Sequence, residues 1–187
     1  MQTFLPFDNF SESAKVLDNS RIWKQVLEAR QIVAAIELWK MGRTSGWANH
    51  PITKMWRPYL DNLKVYHNIF LEEALNRGFD AEDRFFPSPQ VSYLPVWFRF
   101  PLFHQSHMGN LIRKLPGYYT PIFSSHGVNE PMDRYAWLDP DTGEWYYQTV
   151  GGGKKSRVPI NSPLWDVEHR QKWISDYNDL KKSLSLS

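Results

Sequence analysis

The sequence contains no cysteine. That excludes disulfides, a thiol nucleophile, thiolate zinc sites and cysteine-held iron–sulfur clusters. No apolar run approaches the ~20 residues of a membrane-spanning helix. The opening MQTFLPFDNF has neither the basic region nor the apolar stretch of a secretory signal. There is no G-x-S-x-G, no dinucleotide fingerprint and no phosphate-binding glycine loop. The run Gly151-Gly152-Gly153-Lys154-Lys155 lacks the spacing of such a loop, and GGGKKSR at 151–157 reads as a flexible basic linker. These absences lead us to expect a cytoplasmic protein, in the host cell if the source is viral, with no membrane partner.

What is present is aromatic and unevenly charged. Nine Trp, nine Tyr and eleven Phe stand among 187 residues, a length that suits one domain or one domain with an extension. The net charge is only +2, but residues 15–64 hold nine Lys/Arg against four acids. Residues 72–83 swing the other way, with five acids against Arg77. A basic first third can face a polyanion, or it can be an ordinary solvated surface.

Helical periodicity dominates the chain. Ser11 is placed to cap a short helix with Ala14, Val16 and Leu17 on its apolar side. Asp18, Asn19 and Ser20 offer caps for a long second helix to about Trp39, on which Ile22, Val26, Ala29, Val33 and Ile36 recur at helical steps. Pro58 suits the first turn of a third helix, with Leu60, Leu63, Tyr66, Phe70, Leu71 and Ala74 as its buried stripe and Gly78 as its stop. Residues 85–103 read as irregular with one short extended piece. A fourth helix over 105–115 turns Met108, Leu111, Ile112 and Leu115 inward and stops at Pro116-Gly117. Residues around Pro140–Gly143 read as a hairpin, and Trp165 to about Ser183 as a last amphipathic helix. The expected fold is therefore mainly α, a helical region over 1–125 followed by hairpin, linker and C-terminal helix over 126–187.

Three groups of residues can carry chemistry. On the second helix, Arg21, Lys24, Gln25, Glu28 and Gln31 form one polar stripe. Two cations beside a glutamate can clamp phosphates and set a carboxylate beside a sugar; they can equally be a wet face with a Lys24–Glu28 pair worth about 0.2–0.5 kcal/mol. On the fourth helix His107, Asn110 and Lys114 share a face, and His104 lies near its start. His104-x-x-His107, with His50 or His126, can ligate a metal or donate hydrogen bonds; the pattern is loose, and we expect no metal. Trp47, Trp56 and the Trp97–Phe100 cluster can stack on bases or simply fill the core.

The stretches MQTFLPF, SAKVLDNSRIWKQVLEARQI, NHPITKMWRPYLDNLKVYHNIFLEEALNRGF and HQSHMGNLIRKLPGYYTPIF, in that order, resemble the pyrimidine-dimer DNA glycosylases of the endonuclease-V type. The likeness covers about residues 1–125 and is nearest to the bacterial and phage branch that begins M-Q-T-F-L-P. It implies a mostly helical, cofactor-free DNA repair enzyme, a glycosylase and AP lyase acting on damaged or modified pyrimidines in duplex DNA, which we expect to be a monomer. The family reaction runs through an N-terminal amine that forms an imine, assisted by a helix glutamate. The register sets Ile22-Trp23-Lys24-Gln25-Val26 where the phage prototype has Arg-Glu-Leu-Pro-Arg, so the glutamate's part falls to Glu28, one turn on. The amine's part falls to Met1, because Gln2 is too large to permit methionine removal. By the same resemblance Arg21, Lys24, Gln25 and Lys114 meet the DNA; we expect Arg57 and Asn110 to join them and His50, His104 and His107 to line the pocket. The alternatives are a DNA-binding module without chemistry, or another DNA-modifying enzyme built on the histidines.

Overall fold

Asp18 begins the longest helix by accepting the backbone N–H of Arg21 on its side chain, the N-cap bond that relieves an orphan donor. That helix, α2, runs Asn19–Lys40 and follows α1, Phe10–Val16. The computed structural model describes residues 2–80, 85–87, 89, 91 and 93–185. The chain divides into two units by internal packing. One comprises Met1–Phe4, Asn9–Pro95 and Ser175–Ser187; the other comprises Leu5–Asp8 and Val96–Ile174.

In the first unit, α3 (Pro51–Trp56) and α4 (Leu60–Asn76) are separated by a single 3-10 turn at Arg57–Tyr59. Helix α4 packs along α2, and α1 lies on α4. Ile22, Val26, Ala29, Val33 and Ile36 of α2 face Leu63, Tyr66, Phe70, Leu71 and Ala74 of α4, and all ten are buried as the periodicity predicts. Each large aliphatic side chain so buried contributes about 1.5–3 kcal/mol. Asn9, rather than Ser11, caps α1. The Arg77 guanidinium closes the other end of α1, donating to the Ala14, Lys15 and Leu17 carbonyls.

In the second unit, α5 (Pro101–Lys114) packs on α6 (Pro116–Phe123) and on the first strand of a small antiparallel sheet. The strands are β1 (Arg134–Leu138), β2 (Trp145–Thr149) and β3 (Arg157–Ile160), in that order. Trp145 of β2 stacks on Phe100 at 4.3 Å, and Trp97, Phe103 and Trp137 are buried in the same unit. The β1–β2 turn is an Asx turn: the Asp139 carboxylate accepts the N–H groups of Asp141 and Thr142, and Gly143 supplies φ +67. Helix α7 spans Val167–Ser185.

The fold is mainly α, as expected, with three local corrections. Residues 151–157 are no linker: Gly151 turns with φ +73, Lys154–Ser156 make a 3-10 turn, and Arg157 opens β3 against β2. Pro116 does not end the helical region but opens α6, where its missing N–H costs nothing. Leu115 therefore sits between two helices and is 39% exposed rather than inward. Among the described residues of 85–103 there is a 3-10 turn at Val96–Arg99 and no strand.

Candidate active site

The extended segment before α1 has no strand to pair with, so its backbone polar groups need side-chain partners. In the first unit α2 provides them. The N–H of Gln2 donates to Glu28 Oε2 at 3.2 Å, and the N–H of Phe4 donates to Gln25 Oε1 at 2.7 Å. The Gln2 side chain turns back to accept the N–H of Thr3. From α3, the Trp56 indole donates to the Thr3 hydroxyl at 3.0 Å. From α4, the Tyr66 hydroxyl donates to Gln25 Oε1 at 2.8 Å and lies 3.3 Å from the Phe4 carbonyl. Gln25 Nε2 in turn donates to Glu28 Oε2 at 3.2 Å.

Glu28 thus receives two N–H donors on one oxygen, while its other oxygen is 4.0 Å from the Lys24 ammonium. Burial, and after it the Glu28 charge, pushes the Tyr66 phenol well above its usual range, so Tyr66 remains a proton donor. Met1 lies outside the described residues.

The other residues singled out from sequence fall into two sets. Lys24, with 68% of its side chain exposed, and Lys114 at the end of α5 stand at the surface. Arg21 is partly exposed and pairs with Asp18 at 2.6 Å. Gln25, Arg57 and Asn110 are buried, and this placement does not suit direct DNA contact. Arg57 donates to the Ala48 carbonyl and the Tyr177 hydroxyl and stacks over Trp39. Asn110 donates to the Ser106 and Arg134 carbonyls. Each is a polar side chain hydrogen-bonded inside its own unit.

His50 caps α3 by accepting the Ile52 N–H, and burial pushes its pKa down to about 4. In the second unit, His104 and His107 grip one residue of backbone. His107 Nδ1 accepts the Leu5 N–H at 2.8 Å, and the two ring nitrogens of His104 face the Leu5 and Phe98 carbonyls. The i, i+3 spacing that suggests a metal here aligns two rings on the N–H and the carbonyl of a single residue, Leu5. Among the described residues no group of three metal-ligating side chains converges.

Burial lowers the pKa of all four of these buried or half-buried histidines, His50, His67, His104 and His107. Each is therefore more basic in the unfolded chain, near ~6.5. The stability they contribute is complete above that value and is lost as pH falls through the folded values. The denaturant midpoint should drop between pH 7.5 and 5, and His107→Gln should shrink that drop. An acid-insensitive midpoint in the unaltered protein would refute the assignment.

Sequence reasoning missed Tyr66 and Trp56 as polar partners, because Tyr66 occupies an apolar stripe position and Trp56 reads only as a ring that stacks on a base or fills the core. Their hydroxyl and indole groups are the signal: buried tyrosine and tryptophan almost always find an acceptor.

No described helix is long and apolar enough to cross a membrane. Residues 1–86 match the family described as pyrimidine dimer DNA glycosylase. The matched region takes in α1 to α4 and every residue of the Glu28 arrangement. No curated protein and no solved structure matches the chain.

Proposed function

We propose that the protein is a DNA glycosylase with strand-nicking lyase activity on damaged or modified pyrimidines in duplex DNA, reacting through its terminal amine. The observation that carries this reading is the family match over 1–86 together with Glu28, whose carboxylate holds the N–H of Gln2, one residue along the chain from that amine. An α-amine titrates near ~7.7–8.0, so a useful fraction is a neutral nucleophile at neutral pH. Its nitrogen bonds to C1′ while the glycosidic bond breaks and the base leaves with that electron pair. The sugar ring opens to an imine. Loss of a C2′ proton then expels the 3′ phosphate by β-elimination, and water releases the enzyme. Glu28 moves the protons of these steps and stabilises the developing sugar cation. The damaged nucleotide must leave the stack, which costs a few kcal/mol and favours sites already distorted.

In this reading Arg21, Lys24 and Lys114 contact phosphates, and Gln25, Arg57 and Asn110 shape the protein beneath them. The protein acts as a monomer in the cytoplasm, and the amine route itself requires no metal.

Borohydride reduction on an abasic duplex, followed by peptide mapping, tests the chemistry. A cross-link at residue 1 is the expected result. DNA binding without a cross-link would select a non-catalytic module, and activity lost to chelator would select a histidine-based enzyme. For binding, log affinity should fall linearly with log salt, by about 0.9 for each phosphate contact. Lys24→Ala and Lys114→Ala should each flatten the slope by about one unit.

A further inference from the structure

Gln25 is the junction of the network around Glu28. It is fully buried, and its carbonyl oxygen receives two donors, the Phe4 N–H at 2.7 Å and the Tyr66 hydroxyl at 2.8 Å. Two donors on one side fix which end of an amide is oxygen, because an NH2 group turned toward them would meet hydrogen with hydrogen. Gln25 Nε2 is thereby aimed at Glu28 Oε2, which it meets at 3.2 Å. The same Oε2 takes the Gln2 N–H. One amide therefore registers three things against one another: the chain's first residues, the α4 hydroxyl and the carboxylate.

We infer that Gln25 is a positioning residue for the reaction, one that fixes the Glu28 carboxylate against the N-terminal segment through its amide. The inference rests on the function proposed above. Nothing about the residue type requires this role. On a wet helix face a glutamine has water for both ends; here both ends are committed, and the segment and the carboxylate share one support. A carboxylate left to choose its own rotamer would lose its alignment with the reacting atoms, and a misplacement of about 1 Å is worth roughly 100-fold in rate.

Two substitutions divide the role. Gln25→Met keeps the length but removes both hydrogen-bonding ends. Gln25→Glu keeps an acceptor for the Phe4 N–H and the Tyr66 hydroxyl but turns a second carboxylate toward Glu28. Two acids at that separation cannot both ionise easily, so one must hold its proton to higher pH. Of the charged and titratable groups on the elements packed here, Lys24 on α2 comes within 4.0 Å of Glu28 Oε1 and the Tyr66 hydroxyl on α4 donates to the Gln25 oxygen, while Arg21 is turned to Asp18, Lys64 pairs with Glu37, and α3 brings Lys54 and its cap His50.

The first measurement follows the Glu28 carboxyl carbon by NMR titration and needs no activity. In Gln25→Glu the upper midpoint of the two carboxyl carbons should lie at least about one pH unit above that of Glu28 in the unaltered protein. The second measures single-turnover nicking and DNA affinity. Both variants should lose at least about tenfold in rate with affinity within about twofold, and the acid limb of the Gln25→Glu rate profile should move upward. An unmoved titration, or rates equal to the unaltered protein, would overturn the inference. If the unaltered protein neither nicks nor cross-links, the proposed function fails, while the titration still decides whether Gln25 holds Glu28.

Discussion

Glu28→Gln should reduce nicking by at least ~100-fold while DNA binding stays within about twofold. The substitution is isosteric. A glutamine oxygen can still accept the Gln2 N–H and the Gln25 amide, as Glu28 Oε2 does now at 3.2 Å each. What disappears is a base. The exposed Lys24, which carries the nearby positive charge, is untouched, so the phosphate attraction persists. Extending the chain by one residue before Met1, or acetylating its amine, should have the same signature, since productive geometry is held to about half an ångström. If Glu28 is only a helical partner of Lys24, the glutamine variant would lose a few tenths of a kcal/mol of stability and no turnover. Unaltered rates from both proteins would remove the amine mechanism and leave the fold intact.

Trp56→Ala should be the most damaging single truncation to stability. Trp56 is fully buried, lies 6.3 Å from the Phe10 ring and 6.0 Å from the Tyr66 ring, and its N–H holds the Thr3 hydroxyl. Removing an indole from such a site costs about 3–5 kcal/mol, because the cavity collapses only in part. For a chain of this size that corresponds to a melting temperature lower by roughly 6–20 °C. Trp56→Phe separates the contributions. It keeps most of the packing and strands the Thr3 hydroxyl, so it should cost about 1–3 kcal/mol. Thermal melts of the two variants check both figures, and equal losses would mean that packing contributes little beyond the hydrogen bond.

Much of the first unit was legible because its helices obey a single rule. The apolar positions of α2 recur at helical steps, and Asp18 announces the start. Glu28 was legible for the same reason. Gln25 was not. At 100° per residue it lies about 40° from Arg21 on one side and about 40° from Ala29 on the other, the margin between wet stripe and core. Which way such a residue turns is decided by the segment lying on it, more than twenty residues earlier in the chain, and periodicity carries no information about that. The burial of Arg57 and Asn110 was not legible either: their residue types suggest surface, and it is the Tyr177 hydroxyl, the Trp39 ring and the carbonyls of Ala48, Ser106 and Arg134 that accommodate them inside. Strand β3 was hidden by composition. Three glycines precede it and Pro159 interrupts it, and a proline is tolerated there because β3 is an edge strand, paired only to β2.

The segment Gln2–Phe4 is bound to its own protein much as a peptide is bound by a receptor. Two of its N–H groups are read by Glu28 and Gln25, and the Thr3 hydroxyl is read by the Trp56 indole, so recognition is addressed to the backbone and to one side chain together. Being tethered, this internal ligand is presented at a high effective concentration, and contacts worth about 1 kcal/mol each suffice to hold it. The same logic makes the groove separable from its occupant. A chain shortened at its start would keep the receptor half of the arrangement, and a short synthetic peptide could be titrated into it from solution.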